Sequence, residues 1–169
     1  MGILIERVDS ETEISTVSDL AHTIWNEYYT TIIGQAQVDY MLEKYQSREA
    51  ISLQISKEGY EYYLVSSALI PMMYIGIIEK PGEMFLSKLY VLEQGRGKGF
   101  GRIAINFLLS RCRDMNLNYI TLTVNKNNIK AIAAYEKLGF EKYGEVVTDI
   151  GSGYVMDDYL MRLTVEPYS

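Results

Sequence analysis

The stretch Gln94-Gly95-Arg96-Gly97-Lys98-Gly99-Phe100-Gly101 alternates glycine with cationic and polar residues. It lies between a β-type run, Met84-Phe85-Leu86-Ser87-Lys88-Leu89-Tyr90-Val91, and a helical pattern carried by Ile103, Phe107, Leu108 and Cys112. A strand, a glycine-rich loop and a helix in that order constrain the fold strongly. The loop amides and the helix N-terminus converge where anionic oxygens are held, and glycine allows close backbone approach. Arg96, Lys98 and Arg102 add positive charge in a chain with 16 Lys+Arg against 22 Asp+Glu, net −6. A diphosphate or polyphosphate ligand therefore fits this loop better than a plain mobile turn. A P-loop needs Ser or Thr after Gly-Lys, whereas Gly97-Lys98 is followed by Gly99. A dinucleotide fold needs an acid closing the next strand, and that strand ends in Thr123-Val124.

The remaining pattern predicts a mixed α/β (α+β) chain. Ile3–Val8 reads as a first strand, broken by Asp9-Ser10. Ile14, Val17, Leu20, Ala21, Ile24 and Tyr28 form one face of a helix from Glu11 to about Tyr29, and Gly34 interrupts the pattern. A second helix is expected over Ala36–Tyr45 and a third from the cap Ser47 to Gly59. Tyr60–Val65 and Met73–Ile78 form a hairpin with Pro71 in the connection, Pro81-Gly82 turns the chain, and Met84–Val91 follows. Tyr119–Val124 is a strand parallel to 84–91, Ile129–Leu138 a helix closed by Gly139, and Phe140–Val147 and Tyr154–Leu163 the last strands.

At 169 residues with 48% apolar content, one domain over 1–169 is expected. The acidic balance argues against nucleic acid as a partner and favours a cationic small molecule. One cysteine, Cys112, and one histidine, His22, cannot build a Cys/His zinc site, and no metal is expected. Cys112 reads as a buried thiol on its helix. With no membrane span or secretory leader apparent, a soluble cytoplasmic protein is the expectation.

Arg96-x-x-Gly99-x-Gly101, following Leu89-Tyr90-Val91, resembles the acetyl-coenzyme A pyrophosphate loop of the GNAT family of N-acetyltransferases. The register Gln94-x-x-Gly97-x-Gly99 also fits the letters. Asn128-x-x-Ala131-Ile132-x-x-Tyr135-Glu136-Lys137-Leu138-Gly139-Phe140 is similar to the family's second signature. The segment Gly151–Met161 further resembles the bacterial spermidine/spermine acetyltransferases. The resemblance implies a single domain with a mixed, mostly antiparallel sheet, flanked by helices and splayed into a V between strands 84–91 and 119–124. It implies acetyl-coenzyme A as acyl donor, with Leu89, Tyr90 and Val91 along its arm. Arg96, Gly97, Lys98, Gly99, Phe100, Gly101 and Arg102 then sit at its phosphates, and Asn128 touches it. Tyr135 takes the place of the proton donor.

Acetylating an amine also requires that the ammonium lose a proton. Many relatives carry a carboxylate within the strand before the loop. Here Phe85, Leu86, Ser87 and Lys88 fill its middle, leaving only Glu83 at its entry. Glu27, on the first helix beside Tyr28 and Tyr29, is the candidate base, with a water relay as the alternative. Trp25, Tyr28, Tyr29 and Tyr40 either wall the acceptor pocket or pack in the core. Asp157 and Asp158 either attract a cationic acceptor or are solvated surface charges. The leading reading is direct transfer to a primary amine, a polyamine or similar small amine. Alternatives are a protein N-terminal or lysine acetyltransferase and a non-catalytic acyl-coenzyme A-binding module, with a homodimer as an open option.

Overall fold

A computed structural model describes residues 2–168. In chain order the elements are β1 (Ile3–Arg7), α1 (Glu11–Tyr28), α2 (Thr30–Ile33), α3 (Gln35–Tyr45), α4 (Arg48–Lys57), β2 (Glu61–Ser67), β3 (Ile70–Lys80) and β4 (Glu83–Val91). A single 3-10 turn (Glu93–Gly95) leads to α5 (Phe100–Asp114), β5 (Tyr119–Asn125), α6 (Ile129–Lys137), β6 (Glu141–Gly151) and β7 (Tyr154–Thr164). The strand order is β1-β2-β3-β4-β5-β7-β6 in one seven-stranded sheet. Pairings β1–β2, β2–β3, β5–β7 and β6–β7 are antiparallel, and β4–β5 is parallel, as the strand-helix-strand reading requires. The parallel register consists of Glu83↔Tyr119, Met84↔Ile120 and Phe85↔Thr121.

Packing divides the chain into two compact units, Met1–Ile78 with Lys88–Gly101, and Glu79–Ser87 with Arg102–Ser169. In the first, α1 starts with a capping box: Ser10 Oγ accepts the Glu13 N–H at 3.2 Å and Glu13 Oε1 accepts the Ser10 N–H at 3.0 Å. Val17, Ala21 and Ile24 of α1, Ile51 of α4 and Val65, Met73 and Ile75 of the strands are fully buried there. Ser47 caps α4 as expected, accepting the Ala50 N–H at 3.2 Å. In the second unit Met84, Leu108, Cys112, Ile120, Leu122 and Met161 form the core, and the Cys112 thiol lies 3.7 Å from Met84 Sδ.

The hairpin differs from its expected form. Pro71 belongs to β3, where it pairs with Ser66 beside a register shift at Val65/Ser66, an irregularity of the kind at which strands tolerate proline. The turn is tight, with Ala68 and Leu69 at positive φ (50° and 66°), so two residues without turn-forming signatures adopt the left-handed conformation. The segment between Tyr29 and Gly34 is a short helix, α2, ended by Gly34 at φ 85°.

Candidate active site

The glycine loop is anchored at both ends and open between them. Gly95 and Phe100 are buried, whereas Arg96, Gly97, Lys98 and Gly99 are exposed. At Gly95 a Cβ would meet Val91 Cγ1 at 3.0 Å and Met72 Cε at 3.1 Å, so any larger residue here requires those side chains of β4 and β3 to give way. Gly97 and Gly99 have φ of 74° and 86°, and no atom lies within 4 Å of where a Cβ would stand. Alternating left-handed glycines turn successive amides toward one side, and α5 begins directly after them. Lys98 is exposed on this loop, and Gly101 lies in the first turn of α5. The Arg96 guanidinium stacks on the Tyr28 ring at 4.7 Å, which tethers the loop to α1. Arg102 is exposed and donates from Nη2 to the Lys137 carbonyl at 3.5 Å, near the C-terminal end of α6.

Leu89, Tyr90 and Val91 are half-buried at the end of β4. Tyr90 joins an aromatic cluster: Trp25, Tyr74 and Tyr29 lie at 5.3, 5.4 and 5.9 Å between centroids, and Trp25 stacks on Tyr29 at 4.4 Å. Trp25 is buried, Tyr28, Tyr29 and Tyr40 are half-buried, and Glu27 is exposed on α1.

Lys88, two positions before Tyr90, is 5% exposed. Its Nζ donates to the Tyr45 carbonyl at 2.6 Å, to Gln54 Oε1 at 3.1 Å and to the Tyr62 hydroxyl. Tyr62 in turn donates to Gln54 Oε1, and Gln54 Nε2 donates to the Tyr45 carbonyl at 3.1 Å. Gly76, opposite Tyr62 on β3, makes this network fit: a Cβ there would press on the Tyr62 ring at 3.3 Å and on Lys88 Cβ at 3.4 Å. Burial pushes the Lys88 ammonium down to about 7, and it raises the Tyr62 phenol far above its ordinary value.

In the second unit, Asn128 is 3% exposed and caps α6, its side chain accepting the Ala131 N–H at 3.3 Å. Tyr135 projects from α6 beside Phe140, with rings 5.4 Å apart, and the Phe140 N–H donates to the Tyr135 carbonyl at 3.0 Å. Burial pushes its phenol up to about 12, so it is protonated throughout the neutral range. Asp157 and Asp158, read together in the sequence, separate sharply. Asp157 bonds Lys126 at 2.9 Å with its side chain 55% exposed, whereas Asp158 is only 5% exposed. Lys126 also pairs with Glu145.

Among the described residues no group of three or more His, Cys, Asp or Glu side chains is arranged to hold a metal ion. No described helix is long and apolar enough to cross a membrane.

Comparison with known proteins finds that residues 19–140 match the acetyltransferase (GNAT) family. The chain is similar to the spermine/spermidine N(1)-acetyltransferase of Bacillus subtilis (strain 168), 31% identical over 68 residues, which is 40% of this chain and 45% of that protein. It is similar also to the L-methionine sulfoximine/L-methionine sulfone acetyltransferase of Pseudomonas paraeruginosa, 30% identical over 81 residues, 47% of this chain and 46% of that protein. The chain thus aligns with about half the length of these relatives. Among solved structures, the PaiA N-acetyltransferase of Thermoplasma acidophilum, crystallised with coenzyme A, superposes with a TM-score of 0.81 at 17% identity. That likeness covers 97% of this chain and 99% of the other, and at this identity it concerns the fold.

Proposed function

The chain belongs to the acetyltransferase (GNAT) family, and from that premise we propose that it is an acetyl-coenzyme A-dependent N-acetyltransferase acting on a primary amine of the polyamine or similar small-amine class. The observation that carries this reading is the 95–101 loop. Its buried Gly95 anchor, its two left-handed glycines with open space above them and its exposed Arg96 and Lys98 suit the diphosphate of a coenzyme A.

Acetyl-coenzyme A, when bound, supplies the activated thioester. The chain's residues position it and handle protons. The amides of Gly97, Gly99, Phe100 and Gly101 donate to the phosphates, and Arg96, Lys98 and Arg102 balance their charge. The backbone of Leu89, Tyr90 and Val91 pairs with the pantetheine amides, and Asn128 contacts the same arm. Tyr135, protonated in the neutral range, gives its proton to the departing thiolate. Glu27, exposed on α1, faces the arriving amine, which loses its proton to a carboxylate or through water. The polyamine class is supported by the similarity to a spermine/spermidine acetyltransferase and by the net charge of −6, which favours a cationic acceptor.

Calorimetry with coenzyme A, followed by thiol release from acetyl-coenzyme A across polyamines, amino acids and peptides, tests the proposal. Saturable coenzyme A binding and turnover on small amines are expected. Absence of binding overturns the loop assignment, and turnover confined to peptides overturns the acceptor class.

A further inference from the structure

Asp158 lies on β7 directly opposite Asn125 of β5 and Val146 of β6. It is, with Lys88, one of the two charged residues at 5% exposure, and among the described residues its Oδ1 has no hydrogen-bond partner. The cation that could neutralise it is already engaged: Lys126 binds Asp157 at 2.9 Å and also pairs with Glu145, each with a largely exposed side chain. The Thr123 hydroxyl, diagonal to Asp158 across the β5–β7 ladder, supports its charge. Farther along the same face of β5, Thr121 is 2% exposed, and its hydroxyl oxygen also has no partner among the described residues. Leaving such groups unpaired is costly, most of all for a charge, and native chains rarely accept this without use. The end of β5 is meanwhile fixed in place. The Lys126 N–H donates to the Asp157 carbonyl at 3.1 Å, and the Asn128 N–H to the Asn125 carbonyl at 2.9 Å, so Asp158 stands beside the turn that opens the Tyr135 helix.

We infer that Asp158 is the carboxylate that receives the proton from the acceptor's ammonium, so that a cationic amine supplies the partner its Oδ1 lacks. The inference rests on the acetyltransferase reading and names its base. The ammonium gives its first proton to Asp158, which passes it to solvent. The free amine nitrogen bonds the acetyl carbon as the carbon–sulfur bond breaks, the thiolate takes the Tyr135 proton, and the second amine proton restores the phenol. Burial, reinforced by Asp157, lifts the Asp158 carboxyl to about 6 against the opposing pull of Lys126 and Thr123. It is therefore ionised, and basic, at neutral pH.

The test is kcat/KM for spermidine with saturating acetyl-coenzyme A between pH 5 and 9, in wild type, Asp158→Asn, Asp158→Glu and Glu27→Gln. Wild type should lose activity below about pH 6. Asp158→Asn should lower kcat/KM about 100-fold or more at pH 7 and abolish that acidic limb, while coenzyme A binds as in wild type by calorimetry. Its unfolding midpoint at pH 7 should rise, since a buried charge has been removed, which shows that the variant folds. Asp158→Glu should restore a limb at a shifted pH. A limb that survives Asp158→Asn, or disappears only in Glu27→Gln, overturns the inference alone. Wild-type protein that binds coenzyme A but acetylates no amine in the panel overturns the acetyltransferase reading and this inference with it.

Discussion

Replacing Lys88 by methionine gives a direct measure of what the buried amine costs the fold. Unfolded, Lys88 titrates at its ordinary 10.5, whereas burial holds it near 7 in the folded chain. The unfolded state therefore binds more protons between those values, and stability rises with pH across that interval. The penalty is roughly 5 kcal/mol well below pH 7, about 4 kcal/mol at pH 7 and about 2 kcal/mol at pH 9. Lys88→Met removes that penalty together with three hydrogen bonds worth about 1 kcal/mol each. No group is orphaned, because Tyr62 still donates to Gln54 Oε1 and Gln54 Nε2 still donates to the Tyr45 carbonyl. The variant should consequently match or slightly exceed wild type at pH 7 and fall below it at pH 9. The difference between the two should move by about 2 kcal/mol, or roughly 4–8 °C in midpoint for a domain of this size. Urea unfolding followed by the fluorescence of the buried Trp25 at pH 6, 7, 8 and 9 reads this directly. The Tyr62 phenol, raised far above 10, contributes no slope below pH 9, so the variant isolates the amine. Parallel stability curves for wild type and Lys88→Met would refute the assignment of a buried amine whose ionisation is depressed by burial.

Tyr135→Phe should lower kcat by about 100-fold or more with coenzyme A affinity unchanged, measured by initial rates and calorimetry; equal losses in both would make the residue a packing element. Gly99→Val, introduced at φ 86°, forces a β-branched residue into a left-handed conformation on the loop, and should weaken coenzyme A binding at least tenfold while the strain lowers the unfolding midpoint by about 2–8 °C. Gly95→Ala should act through packing: its Cβ meets Val91 at 3.0 Å and Met72 at 3.1 Å, so thermal unfolding should show destabilisation of about 1–3 kcal/mol.

The parts of this fold that were readable in the sequence are those with a local cause. Ser10 and Glu13 specify the start of α1, Ser47 the start of α4, and the glycine cluster the passage from β4 to α5, because caps and left-handed turns depend on neighbours a few residues away. The Ala68-Leu69 turn was hidden for the converse reason: neither residue favours positive φ, and the pairing of β2 with β3 imposes it. Lys88 was readable in principle, since Met84, Leu86 and Lys88 alternate on the buried side of β4. What the alternation could not supply was a reason for a lysine there, namely the Tyr45 carbonyl at 2.6 Å and the slot left by Gly76. Asp158 shows the limit of pattern reading more sharply. Counting by twos from Met161, which is fully buried, assigns Asp157 to the inner side of β7 and Asp158 to solvent. The reverse holds at this end of the strand, because Lys126 holds Asp157 together with Glu145 in an exposed ion-pair cluster while Asp158 is buried beside Thr123. Period-two logic describes strands covered by a continuous layer of side chains. It fails where that layer ends and a charge cluster decides which of two adjacent carboxylates meets water.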